Sequence, residues 1–263
     1  MTEVQTHERQ PIPGVKETVA VSSGKGGVGK STMCVNLAVA LAGQGLRVGL
    51  MDTDIYGPNV PGMLGVSERP QVVAGSQLIR PVEAHGLSLI SMGLLVEPGV
   101  PVIWRGPMLA KMVNQFLFSV EWGELDILLL DLPPGTGDVQ LTLTQMAPLT
   151  GALIVTTSST LALEDVGRGV QMFRQTEVPI LGLIENMSTF LCDSCGTESH
   201  PFGHGGGAAA AASLDIPFLG EVPLDPAVRS GADDGTPAFL SHPESPASLA
   251  IGSIGKSLLE RLP

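Results

Sequence analysis

At 263 residues with 43% apolar side chains, the chain has ample material for one large core, which excludes a disordered polypeptide. Its formal net charge of −12 repels nucleic acid and anionic membrane at long range, so neither is expected as a partner. Cys34, Cys192 and Cys195 are too few and too unevenly placed for a disulfide framework, which points to a reducing, cytoplasmic setting.

The opening residues are polar, carry Pro11 and Pro13 and lack the apolar stretch of a signal peptide, so 1–16 is expected as a flexible arm. No later run reaches the roughly 18 to 20 apolar residues that span a bilayer. Short runs rich in Val, Ile and Leu alternate with longer helical segments. This is the pattern of an α/β fold, a mostly parallel sheet of about seven strands with helices on both faces. In chain order the strands fall at Thr18–Ser22, Arg47–Met51, Leu87–Ser91, Ile127–Leu130, Ala152–Thr156, Ile180–Glu185 and Phe218–Gly220. Helices are expected over Lys30–Ala42, Pro107–Phe118, Val139–Met146, Ala162–Gln175, Gly206–Ser213 and Ser248–Leu262.

Val19–Ser22 leads into Gly24, Lys25, Gly26, Gly27, Val28, Gly29, Lys30 and Ser31, and Met33, Val35, Leu37 and Leu41 follow at helical spacing. That is strand, loop and helix in the order the phosphate-binding motif G-x-x-x-x-G-K-[ST] requires. Glycines let backbone N–H groups curl round phosphate oxygens, the helix N-terminus adds partial positive charge, and Lys30 neutralises the outer phosphates. Ser31 can offer its hydroxyl to Mg2+, and Thr32 completes the nucleotide-binding stretch. ATP with Mg2+ is the expected ligand, in a P-loop ATPase domain over 17–263.

Asp131 ends an uninterrupted apolar strand, where open parallel sheets bind ligands, and is expected to serve Mg2+ through a water. Asp52 and Asp54 stand two apart after the second strand, so in an extended segment they point the same way and can serve metal, water or lysine. The turn Pro133–Asp138 follows Asp131 at once and suits a loop that shifts when the γ-phosphate leaves.

Cys192 and Cys195 lie in a polar loop, 190–197, with Asp193, Ser194, Gly196 and Thr197. Two thiolates suit a soft metal but do not close a four-ligand site, which two copies of the chain would complete. His200 and His204 extend the pair to C-x2-C-x4-H-x3-H, which leaves a Zn2+ site within one chain open, and a redox pair is a third reading. His204 is equally readable as an ordinary loop residue. Cys34 reads as core, and Trp104 with Arg105 as a partner-facing patch or plain packing.

The second lysine of the loop, Lys25, resembles the deviant Walker A class that includes the MinD, ParA, arsenite-pump and nitrogenase iron-protein ATPases. Asp52-Thr-Asp-Ile-Tyr-Gly-Pro58, Trp104-Arg-Gly-Pro-Met108, Asp131-Leu-Pro-Pro-Gly-Thr-Gly-Asp138, Glu185-Asn-Met-Ser188, Cys192-Asp-Ser-Cys195 and Val222-Pro-Leu-Asp225 are similar to the Mrp/ApbC family of iron-sulfur cluster carriers. The resemblance implies a homodimer in which Lys25 reaches the partner's phosphates, with slow, regulatory ATP hydrolysis. It also implies a [4Fe-4S] cluster shared through Cys192 and Cys195 and passed to apo iron-sulfur proteins. Asn186 is assigned to the adenine base, Pro223 and Asp225 to the nucleotide, and Asp54 to the attacking water. Neither an extra small domain before the phosphate loop nor an N-terminal four-cysteine motif, both known in relatives, is present, so a second bound cluster is not expected. A MinD/ParA-like positioning ATPase is the rival, but it wants a basic amphipathic tail, and the last helix sets only Lys256 and Arg261 against Glu260.

Overall fold

A computed structural model describes residues 10–54, 57–95, 106–192 and 194–263. Residues 1–9 of the expected arm, Trp104 and Arg105, and Ile55, Tyr56 and Asp193 of the family-like stretches lie outside the described residues.

The chain begins with β1 (Val15–Ser22), α1 (Lys30–Gly43), β2 (Val48–Asp52) and α2 (Val60–Met63). Short strands β3 (Gln71–Val72), β4 (Ile79–Arg80) and β5 (Val82–Ala84) precede β6 (Leu87–Ser91), α3 (Gly106–Phe118) and β7 (Leu125–Asp131). Then come α4 (Asp138–Met146), β8 (Gly151–Thr156), α5 (Thr160–Gln175) and β9 (Ile180–Asn186). A small hairpin, β10 (Phe190–Leu191) with β11 (Glu198–Ser199), leads to α6 (Gly206–Ser213) and β12 (Phe218–Val222). The chain closes with α7 (Pro226–Asp233), α8 (Ala238–Ser241) and α9 (Pro246–Leu259).

The main sheet has eight strands in the order β12-β9-β8-β1-β7-β2-β6-β5. All pairings are parallel except β5 with β6. The expected strands are all present, and β5 is the addition to the expected seven. It holds three residues with Glu83 exposed between half-buried Val82 and Ala84, too short a run to carry a strand signal.

Apolar residues on successive strand positions enter opposite cores, as the two-residue pleat demands. In β7, Ile127 and Leu129 join the cluster built with α1 and α9, while Leu128 and Leu130 join the one built with α3, α4 and α5. Helices thus cover both faces. Residues 12–16, expected within the arm, are ordered: Ile12 is 3% exposed in the second core, Val15 N–H donates to its carbonyl at 3.1 Å, and β1 opens at Val15. The last helix is shifted toward the N-terminus, since Ser245 accepts from Ser248 N–H and Pro246 supplies the fixed φ of a first turn.

Because β7 is sandwiched, truncating either face should cost about 3 kcal/mol in Leu128→Ala and in Leu129→Ala alike. Urea unfolding midpoints will show it, and a strand with one solvent face would leave one of the two variants near wild type.

Candidate functional site

β1 lies between β8 and β7, and the chain departs from its carboxyl end into the phosphate loop, the position where open α/β sheets take ligands. Ser23 Oγ donates to the Lys25 carbonyl at 3.0 Å, and Gly135 N–H from the turn after β7 donates to the Ser23 carbonyl at 2.9 Å. Gly29 has φ 85°, the left-handed region, and a Cβ there would collide with the Asn186 amide. Gly24 packs on the backbone of Asp165 in α5, with no room for a side chain. Lys25 is half-exposed on the loop.

Lys30 and Asp131 form a buried ion pair, Nζ to Oδ1 at 2.6 Å, with exposures of 6% and 0%. Ser31 Oγ donates to Asp131 Oδ2 at 2.6 Å, and Lys30 Nζ also donates to Ser31 Oγ at 3.0 Å. Burial raises the Asp131 pKa, and the Lys30 charge opposes that shift. Asp52 pairs across from Asp131 in the β2–β7 register. Its oxygens accept from Ser91 Oγ at 2.7 Å and from Asp54 N–H at 3.0 Å, so it organises the segment that carries Asp54. Asp54 Oδ1 in turn accepts from Gly57 N–H at 3.2 Å.

A cavity of about 210 Å³ lies over the loop, bordered by Gly27, Lys30, Ser31, Asp54, Asn59 and Pro134. A second, of about 250 Å³, is bordered by Asn186, Met187, Pro223, Leu224, Val228 and Arg229. Gly29 and Thr32 border both, so a polar compartment opens into a mostly apolar one. The glycine cradle and lysine fit a polyphosphate, and the apolar compartment with one amide fits a base. Ser31, Asp131, Asp52 and Asp54 are hard oxygen donors, the chemistry that Mg2+ takes.

Asn186 Nδ2 donates to the Val28 carbonyl at 2.9 Å, which fixes the amide at the mouth of the second cavity. Pro223 borders that cavity too. Asp225 borders it but has another occupation: one oxygen accepts from Ala227 N–H at 2.9 Å as the cap of α7, the other from Ala247 N–H at 3.3 Å. Sequence reasoning missed α7 and with it Val228, Arg229, Ala232 and Asp233 on the cavity wall. Asp225-Pro226 was a legible signal, a cap followed by proline at the first helical position. It also missed Gln140, buried in α4, whose Nε2 donates to Ser22 Oγ and whose Oε1 finds no partner among the described residues.

The cysteines sit at the tip of the β10–β11 hairpin. Gly196 N–H donates to the Cys192 carbonyl at 2.8 Å and Cys192 N–H to the Thr197 carbonyl at 3.0 Å, a tight turn with Gly196 in the left-handed region. Cys195 is exposed and Cys192 half-buried. Hydrogen bonding to Thr197 holds the Cys195 thiol below its ordinary pKa, which favours thiolate, the ligating form. His200 faces the Ser188 carbonyl through Nδ1 at 3.2 Å, and its ring lies 4.3 Å from that of His204. The described residues contain no group of three or more His, Cys, Asp and Glu side chains that could hold a metal ion. Cys34 is fully buried, as expected. No helix among the described residues is long and apolar enough to cross a membrane.

Burial, with the nearby Asp131 charge, pushes the Asp52 pKa up to about 7. Between about 4 and 7 the folded protein therefore holds a proton that the unfolded chain has lost, and stability must fall as pH rises through that window. Thermal melts of the metal-free, nucleotide-free protein from pH 5 to 7.5 should show this decline, and Asp52→Asn should flatten it. An unchanged slope in the variant would assign the dependence elsewhere.

An iron-sulfur cluster carrier protein of Synechocystis is 51% identical over 255 residues, 95% of this chain and 72% of that one. A nucleotide-binding protein from Archaeoglobus fulgidus, solved in complex with ADP, superposes with a TM-score of 0.75 at 38% identity, over 85% of this chain and 88% of that one. The Pyrococcus furiosus cell division ATPase MinD shares the fold, with a TM-score of 0.68 at 22% identity over 93% of this chain and 98% of its own. A family profile described as "ParA: NUBPL iron-transfer P-loop NTPase" matches residues 14–259, and with the phosphate loop intact on its strand and helix, this chain belongs to that family.

Proposed function

We propose that the chain is an ATP-hydrolysing carrier that holds a [4Fe-4S] cluster between two copies of itself, on Cys192 and Cys195 of each, and passes it to apoproteins. The observation that carries this reading is a cysteine pair, Cys195 exposed and Cys192 half-buried, on the hairpin that follows β9, the strand whose last residue, Asn186, borders the apolar cavity. The names borne by relatives support it.

Two thiolates per chain suit iron as ligands, and a two-fold axis at the hairpin brings four together. The base enters the apolar cavity beside Asn186 and Pro223, and the phosphates lie on the backbone N–H groups of Gly24–Thr32. Binding draws Lys30 from Asp131 toward the phosphates. Ser31 and Asp131, with Asp52 and Asp54 around them, would hold Mg2+, which supplies charge neutralisation between the phosphates. Asp54, on the wall of the phosphate cavity, orients the water that displaces ADP from the γ-phosphorus, and Lys25 of the partner copy steadies the developing charge. Turnover is slow because its purpose is to open and close the dimer around the cargo, in a cytoplasmic setting.

Anaerobic reconstitution followed by absorbance and by iron, sulfide and zinc counts tests the cargo. Cys192→Ser should lose the iron and sulfide while retaining ATP binding, and a full load in that variant would remove the cysteine assignment. Phosphate release should be slow in wild type and fall about tenfold or more in Asp54→Ala. Equal rates would take Asp54 out of the reaction.

A further inference from the structure

Residues 187–205 form an excursion from the sheet that carries both cysteines, and its base is fastened at one buried acid. The chain leaves β9 through Met187, which adopts φ 56°, makes the β10–β11 hairpin, and returns at α6. Glu185, fully buried, accepts from Ser158 Oγ at 2.5 Å through Oε1 and from Gly207 N–H at 2.6 Å through Oε2. Ser158 Oγ also accepts from Gly206 N–H at 2.9 Å. A Cβ on Gly207 would lie 2.7 Å from Glu185 Oε2, so the first turn of α6 is seated directly on the carboxylate.

This arrangement is not ordinary capping. A helix is commonly capped by its own preceding residue, but that residue here is Gly205, which has no side chain to offer. The orphan N–H groups of α6 are satisfied instead by a strand residue far back in the sequence and by Ser158 after β8. A carboxylate withdrawn from water needs hydrogen bonds to replace its hydration; the bond from Gly207 ties the returning chain to Glu185 directly, and the bond from Ser158 ties it through the hydroxyl that also accepts from Gly206. The next residue, Asn186, faces the other side and donates to the Val28 carbonyl of the phosphate loop. One strand end therefore touches the loop through one side chain and the base of the cysteine excursion through its neighbour.

We propose that Glu185 is a positioning residue that fixes the cysteine-bearing excursion against the end of β9 and, through Asn186 beside it, couples the exposure of Cys192 and Cys195 to occupancy of the phosphate loop. This rests on the reading of the two sites given above. The coupling runs through an element that both sites contact, so each biases the same structure.

The test is the rate at which the full-length, iron-free protein reacts with the thiol reagent DTNB, with and without MgATP; buried Cys34 serves as an internal slow reference. In wild type, MgATP should change the rate of the Cys192–Cys195 pair by about threefold or more. In Glu185→Ala, the pair should react about tenfold faster without nucleotide, and MgATP should no longer alter the rate, while ATP affinity stays within about threefold of wild type. Glu185→Gln, which keeps one acceptor oxygen, should restore part of the response. Ser158→Ala removes a single donor and should give an intermediate rate, which keeps the test decisive if Glu185→Ala does not fold. Wild-type rates and a wild-type nucleotide response in Ser158→Ala and Glu185→Gln would overturn the proposal, as would a wild-type pair indifferent to MgATP. Since no iron enters the measurement, a failure of cluster loading would count against the carrier reading alone.

Discussion

The contact between Lys30 and Asp131 sets the terms for everything around it. Asp131 ends the central strand β7 with 0% exposure, and an unpaired carboxylate there would lose several kcal/mol of hydration. Lys30 and Ser31 occupy both of its oxygens, which forces the start of α1, and hence the loop before it, to lie at the carboxyl edge of β7. Removing one member of such a buried pair costs about 3–5 kcal/mol, so the phosphate cradle is held in shape before any phosphate arrives. In the function proposed above, nucleotide binding is then an exchange: Lys30 would trade a carboxylate for phosphate oxygens, and Asp131 would be freed for metal. The same burial that raises Asp131 raises Asp52 across the sheet, so the site holds two acids whose charges are tolerated only when cations stand near them.

The opposite end of the sheet shows what is released by this arrangement. Asp126 accepts from Lys16 at 2.8 Å and from Arg47 at 2.9 Å, and these hydrogen bonds hold its carboxyl well below the usual range. That cluster joins the entries to β1, β2 and β7 in solvent, where ion pairs contribute little stability but set register. Strand entries are pinned by exposed charges, and strand exits are left for chemistry.

Much of this was legible in the sequence because burial on both faces leaves a strong mark. β7 reads as Ile127-Leu128-Leu129-Leu130 with no polar break, and the phosphate loop sits between a strand and a helix that each carry their own period. The elements that escaped are short: β3, β4, β5, β10, β11, α2, α7 and α8 span two to eight residues. Missing α7 hid a second occupation of Asp225, which caps that helix while it borders the apolar cavity. Asp52 and Asp54 were expected to point the same way in an extended segment; the Asp54 amide donates to the Asp52 carboxylate, a local bond that pattern reasoning does not register. Spacing alone likewise does not reveal that His200 Nδ1 is turned toward the Ser188 carbonyl.

The end of β9 explains how one strand can serve two sites. Ile184 belongs to the core on the α1 face and Leu183 to the core on the other, so the alternation assigns Asn186 to the face of the phosphate loop and Glu185 to the face of α6. A register slip of one residue would exchange them, placing an acid beside the phosphates and an amide under α6. The pairing of β9 with β8 and β12 on both sides forbids that slip, with Glu185 opposite Thr156 and Asn186 opposite Val222. The proposed relation between phosphate loop and cysteine excursion thus rests on strand geometry: two adjacent residues point apart, Asn186 bonded to the phosphate loop and Glu185 to Ser158 and the start of α6.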